Sequence, residues 1–299
     1  MKSKNSFILI ALSLYCQQGS SQTLKEQFTQ AFSKNDTTAE KKILSEWSKS
    51  AHDDPDRYVY AFNYYARRGM TEVMALTKQQ PDSKSFVLKD KNGQVAGYLG
   101  STLSFNQPVI AKGLACIDSA IALFPNRLDM RFGKVYLLGK VGDYDQFTSE
   151  IVKDIDYGQT IGNKWLWRDG KLLDDPEKFM LSTIQSYIRQ LYGAGDNEMG
   201  NMQLIAKEVT KFYPDNVECL SDLSITYMQG KEYDKALDCL IKAEKIAPQD
   251  YIVLNNIAYC YVLKKDKPNA IKYYELVKKY GPDEAKQDAD ERIKKLNSE

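Results

Sequence analysis

"VECLSDLSITYMQGKEYDKALDCLIKAEKIAPQD" spans residues 217–250, and "YIVLNNIAYCYVLKKDKPNAIKYYELVKKYGPDE" spans residues 251–284. Laid over one another without a gap, these two 34-residue blocks agree where packing requires it. Leu220 meets Leu254, Leu223 meets Ile257, Ser224 meets Ala258 and Tyr227 meets Tyr261. Further along, Ala236 meets Ala270, Leu240 meets Tyr274, Ala243 meets Val277 and Pro248 meets Pro282. Spacings of three and four place Leu220, Leu223 and Tyr227 on one face of a first helix, and Ala236, Leu240 and Ala243 on one face of a second. "MQGKEYD" supplies the turn, with Gly230 expected at the bend. The small residues at Ser224/Ala258 and Ala236/Ala270 let the two helices approach closely. The prolines stop the second helix and start the next unit. One such pair cannot cover its own apolar face, so pairs of this kind stack.

The period, the Leu-x-x-Leu-Ser-x-x-Tyr and Leu-x-x-Ile-Ala-x-x-Tyr first helices, "EYDKALDCLIKAEKIAP" and the terminal proline resemble the tetratricopeptide repeat. The resemblance implies an all-α fold: an α-solenoid, a right-handed superhelix of antiparallel helix pairs. It also implies a concave groove, lined by the first helices, that holds an extended peptide or a partner's helix. The inward positions fall on Glu218, Ser221, Asp222, Ile225 and Met228, then on Ile252, Asn255, Asn256, Tyr259 and Val262. Asn255 and Asn256 suit a peptide backbone, and Met228 and Tyr259 suit adaptable apolar contact. Family members that clamp a terminal carboxylate have basic or amide groups where Ser221 and Asp222 stand here. Only Asn256 fits, which disfavours that subtype.

The rhythm continues upstream in degraded form. Pro214 lies 34 residues before Pro248, so Met202–Tyr213 reads as a second helix, preceded by one near Lys178–Tyr192. "QPVIAKGLACIDSAIALFPN", "DMRFGKVYLLGKVGDYDQF" and "EKKILSEWSKSAHDDPDRYVYAFNYYARRG" add further helices, with a turn at Gly142. The expected order is divergent helical repeats over 22–157, an irregular insertion over 158–176, repeats over 177–284 and a capping helix and tail over 285–299. Within the first part, Asn92-Gly93 between β-favouring runs predicts a hairpin insertion near 85–100.

Residues 1–21 have a separate logic. Lys2 and Lys4 precede "FILIALSLY", and small residues follow, with cleavage placed before Gln22. This is the three-part pattern of a secretory signal peptide. It implies an exported, periplasmic or envelope-associated bacterial protein. Tyr15 before Cys16 is too large for an ordinary lipoprotein site. A bilayer span needs about 20 apolar residues, and no later run supplies them. Export permits disulfides, and Cys239 with Cys260 is the better-placed pair, although the cysteines sit at packing positions.

The chain's 41 basic and 40 acidic residues balance, which argues against a general nucleic-acid binder. Hydrophobic content of 43% argues against disorder over the whole chain. No zinc-protease, nucleophile-elbow, phosphate-loop or dinucleotide motif occurs, so no catalytic, metal or cofactor residue is expected. The sole histidine, His52, reads as a helix C-terminal charge. An enzyme whose residues meet only in space remains a third reading.

Two functions follow as expectations. The first is a non-enzymatic exported scaffold that binds a protein or peptide in the groove. The second is an envelope glycan or small-ligand binder that uses the insertion "GNKWLWRDGKLL" (162–173). There, Trp165 and Trp167, with Tyr157 nearby, either plug the seam between the two halves or form an exposed aromatic platform.

Overall fold

The structure, a computed structural model, describes residues 22–51, 53–80 and 84–298. The leader read at 1–21, with Cys16, and His52 lie outside the described residues. The chain divides into two compact units, Met1–Ala61 and Phe62–Glu299.

The first unit contains α1 (Leu24–Ser33), α2 (Thr37–Ser50) and the start of α3 (Pro55–Gly69). A capping box opens α1: the Thr23 side chain accepts from the Glu26 amide, and the Glu26 carboxylate accepts from the Thr23 amide. Tyr60 packs edge-on against Phe28 at 5.2 Å and lies 5.5 Å from Trp47, joining all three helices in one aromatic cluster. The Trp47 indole N–H donates to Asp54 Oδ2 at 2.9 Å, so the buried ring keeps its polar tip satisfied.

The second unit holds the rest of α3, then α4 (Gln107–Leu123), α5 (Leu128–Val141), α6 (Tyr144–Thr160), α7 (Pro176–Ala194) and α8 (Met199–Phe212). It continues with α9 (Val217–Gln229), α10 (Tyr233–Ile246), α11 (Tyr251–Leu263), α12 (Lys267–Tyr280) and α13 (Asp283–Ser298). First helices α9 and α11 begin 34 residues apart, as their sequences predict. Ser224, Ala236, Ala258 and Ala270 are all fully buried at the crossings, where only small side chains fit. The polar helix α13 covers the last pair. It buries Ala289 and sets Asp290 2.7 Å from Lys278 of α12.

One turn recurs. Asn35, Gly142, Lys231 and Lys265 have φ of 55°, 77°, 60° and 61°, each just after a first helix. The next amide in each case reaches back five residues: Asp36 to Ala31 O, Asp143 to Leu138 O, Glu232 to Tyr227 O and Asp266 to Tyr261 O, all at 2.8–3.1 Å. That is a Schellman closure of the first helix. Three of these residues then cap the second helix, since Asp36, Asp143 and Asp266 accept from the amides of Ala39, Gln146 and Asn269. One acidic residue therefore ends one helix and starts the next. The expected bend at Gly230 is corrected: its φ is −75°, and Lys231 carries the left-handed conformation.

Between α3 and α4 the turn is replaced by a sheet. The hairpin expected near 85–100 is present as β2 (Phe86–Lys89) and β3 (Val95–Phe105). A further strand, β1 (Met70–Thr77), pairs with β3 on its other side, giving the order β1-β3-β2. Residues 70–77, placed within the helical repeats with no strand foreseen there, are thus extended. Thr71, Val73 and Thr77 are β-branched, and Gly69 ends the helix before them. The Asn106 amide donates to Gly69 O at 2.8 Å, so the insertion leaves and re-enters the helix pair at one point. Above that point α3 and α4 touch closely, because a Cβ on Gly113 would lie only 3.2 Å from Tyr65 Cβ.

The closed root predicts that the sheet is dispensable for the helices. Replacing residues 71–104 by a short Gly-Ser turn should leave the helical circular-dichroism signal intact and shift Tm by no more than about 5 °C. Loss of cooperative unfolding in that variant would refute the reading.

Candidate functional site

The irregular segment between α6 and α7 contains two very short paired strands, β4 (Leu166–Trp167) and β5 (Lys171–Leu172). Its backbone is tied down at both ends: Leu166 N–H donates to Asn126 O at 2.9 Å, and Leu173 N–H donates to Trp165 O at 3.2 Å. Trp165 is fully buried in the same cluster as Ile155, Met180 and Val209. Gly158 of α6 makes room for it, since a Cβ there would stand 2.8 Å from Asn163 Oδ1 and 3.2 Å from the Trp165 ring. Asn163 donates to Tyr213 Oη at 2.7 Å and to Glu177 Oε2 at 3.0 Å, linking the loop to α7 and to the end of α8. Trp167 is half-buried and packs against Phe179, with centroids 4.8 Å apart.

Arg131 completes this arrangement. Its guanidinium lies 4.4 Å from the Tyr157 ring centroid and 5.6 Å from that of Trp165. It donates to Asp154 Oδ1 at 2.7 Å and to Pro125 O at 2.7 Å. Burial pushes the Asp154 carboxyl up to about 7 even though Arg131 pulls it down. The platform expected from Tyr157, Trp165 and Trp167 is therefore corrected. Trp165 is sealed in the core, Tyr157 lies under Arg131, and no exposed aromatic pair remains for a sugar ring. The segment plugs the seam between α5/α6 and α7/α8.

The groove candidates divide by helix. On α9, Glu218 is exposed and Ile225 half-buried, while Ser221, Asp222 and Met228 are buried. For these three the expectation of an open groove is corrected: the neighbouring first helices α7 and α11 bond Asp222 and Ser221, and Met228 is buried in the core cluster with Val253 and Leu254. Gln185 of α7 donates to Asp222 Oδ2 at 2.8 Å, and Asn256 of α11 donates to Ser221 Oγ at 3.1 Å. The two bonds make a polar ladder across α7, α9 and α11. Burial, opposed by the Gln185 hydrogen bond, raises the Asp222 carboxyl to about 6.

On α11 the corresponding face is open. Ile252 is 52% and Tyr259 41% exposed, and Asn255, Asn256 and Val262 are half-buried. Asn255 hydrogen-bonds no other described side chain. A cleft of about 580 Å³ lies between the α9–α10 and α11–α12 turns, lined by Lys231, Tyr233, Lys265 and their neighbours. Its Lys235 and Lys264 are already paired with Glu232 and Asp234. Cys219, Cys239 and Cys260 are thiols, so the Cys239–Cys260 bridge is not formed, and Cys260 Sγ instead lies 3.5 Å from Tyr233 O. Among the described residues, no group of three or more His, Cys, Asp or Glu is placed to hold a metal ion, and no helix is long and apolar enough to cross a membrane.

Paired antiparallel helices, small residues at the crossings, a 34-residue step and a terminal polar helix define the fold class: an α-solenoid of tetratricopeptide-like helix pairs, with a small β-sheet inserted. No protein-family model matches the chain, and no curated protein matches it. Among solved structures it is similar to the C-terminal part of a TPR repeat-containing protein from Cytophaga hutchinsonii, at 13% identity over 86% of this chain and 79% of that one, with a TM-score of 0.44. YrrB, described as a TPR protein with an unusual peptide-binding site, aligns at 12% identity over 80% of this chain and 93% of its own, with a TM-score of 0.38. The P58(IPK) TPR domain aligns at 14% identity over 92% of this chain, with a TM-score of 0.32, and the chain spans 65% of that domain's length.

Two tests separate structural from binding roles here. Trp165→Ala should cost about 3–5 kcal/mol in chemical denaturation, and Trp167→Ala clearly less. Equal losses would mean that Trp165 is not the buried ring. For Asp222, the folded-state value of about 6 exceeds the ordinary 3.8, so the folded chain holds an extra proton between them. Its contribution to stability is therefore greatest below about pH 4 and is lost as pH rises through about 6. In Asp222→Asn the urea midpoint should fall less steeply over that window than in wild type. An unchanged slope would place the titration elsewhere.

Proposed function

We propose that the chain is a non-enzymatic, exported helical-repeat scaffold that binds a protein or peptide along the open face of α11. The observation that carries this reading is the exposure of Ile252 and Tyr259 on one helix whose opposite side is fully used in the core. Val253, Leu254, Ile257, Ala258 and Cys260 are buried there, so the exposed pair adds nothing to packing that other residues do not already supply. Exposed apolar side chains spaced two turns apart, with amides between them, are what an extended peptide or an amphipathic helix docks against. Asn255 offers a free amide for a backbone group. Asn256 is already engaged with Ser221, which leaves it less to give. Ile225 and Glu218 on α9 would form the edge of the same surface. The export part of the proposal rests on the leader pattern of residues 1–21.

The test is capture from envelope extract on immobilised wild type and on an Ile252→Asp/Tyr259→Ala double variant. A partner retained by wild type and depleted at least about tenfold on the variant is expected, equivalent to roughly 1.4 kcal/mol of binding. Equal recovery on both proteins would sink the groove assignment.

A further inference from the structure

The register of the inserted sheet sorts its side chains onto two unlike faces. Directly paired residues share a face, so Met74 and Leu76 of β1 lie with Leu99 and Leu103 of β3 and with Phe86 of β2. Leu88 of β2, paired with Gly97 two residues before Leu99, joins them before the β-bulge that follows it. All six are exposed, Leu76 at 69% and Phe86 at 68%. The other face carries mainly threonines, alanines, serine and Tyr98, with Val73 and Val87 as its larger apolar members. No helix among the described residues packs broadly on either face.

A sheet with one apolar face needs a second layer about 10 Å away, and the described residues supply none. We propose that a second copy supplies it: two sheets stack apolar face to apolar face in a symmetric dimer.

Area supports this occupant. The exposed portions of the apolar side chains on this face amount to roughly 600 Å² per copy, so two copies remove about 1,200 Å² from water, the lower bound for a specific interface. Charge supports it as well. The one ionisable side chain among the β1 and β3 residues of the face is Glu72, and Ser101 already hydrogen-bonds its carboxylate. The lysines of the insertion stand at strand ends: Lys78 and Lys84 between β1 and β2, Lys89 at the end of β2, and Lys91 in the turn. They can stay in water at the rim of a stacked pair. With a single carboxylate, Glu72, held by Ser101 within the face, the surface offers no charged cluster for an oppositely charged partner, and an identical surface is always present at equal concentration. Closed two-fold pairing is the usual outcome for such a surface.

The test is the molar mass of the purified protein by light scattering and sedimentation over a concentration series. Wild type should approach twice the monomer mass. Leu76→Asp/Phe86→Asp, and independently Met74→Lys/Leu103→Lys, should run as folded monomers by circular dichroism. Val73→Asp/Val87→Asp, on the opposite face, should remain dimeric. A wild-type monomer at about 100 µM would overturn the proposal. So would a dimer that survives both apolar-face variants, which would place the contact at a strand edge or elsewhere. A monomeric wild type that sediments with phosphatidylglycerol vesicles would replace the second copy by a lipid surface.

Discussion

A pair of antiparallel amphipathic helices buries the strip where its members touch and leaves apolar surface on both flanks. Each pair in this chain is therefore stable only against its neighbours. The core shows this dependence. Ile225, Tyr227 and Cys239, all on α9 and α10, touch both the cluster built around Trp165 and the cluster built around Tyr274. The α9/α10 pair thus joins the two halves of one continuous interior, and the polar helix α13 ends it by offering charge to water and a narrow apolar strip to α12.

The same dependence explains the irregular segment before α7. Where the α6–α7 connection lengthens, the space between consecutive pairs has to be filled by something other than a helix. Trp165 fills it, with Arg131, Asp154 and Tyr157 stacked beside it. A buried arginine–aspartate pair contributes little net stability compared with apolar packing, but removing either partner leaves a charge stranded. Here it links α5 to α6 directly beside the loop. The Gln185–Asp222 and Ser221–Asn256 bonds act similarly between first helices, fixing the register of one pair on the next.

Legibility in the sequence followed regularity. The last two pairs could be read because nothing interrupts them, so small residues, apolar positions and prolines all repeat in step. The strand at 70–77 escaped because "MTEVMALT" has apolar residues at both parities and borders a strong helix. Its partner β3 lies more than twenty residues away, and only pairing with it gives the segment its conformation. Trp165 and Trp167 looked equivalent from their spacing. They differ because Trp165 precedes the short strand and turns inward over Gly158, a contact no local pattern encodes. The groove was half legible. Family positions located the right face of α9 and α11, yet Ser221 and Asp222 are covered by partners 35 and 37 residues away. Those separations fall outside the 34-residue step and could not be anticipated from it.

The recurring turn has a consequence for how the chain comes to be folded. A left-handed residue followed by an acidic one closes one helix and opens the next using atoms within about eight residues. Each hairpin can therefore form from its own stretch of chain, with little loop entropy to overcome, and lock onto whichever neighbour is already in place. Folding need not begin at a fixed site, and the order of assembly can follow the order in which pairs become available. Under tension the array should yield the same way, one hairpin at a time.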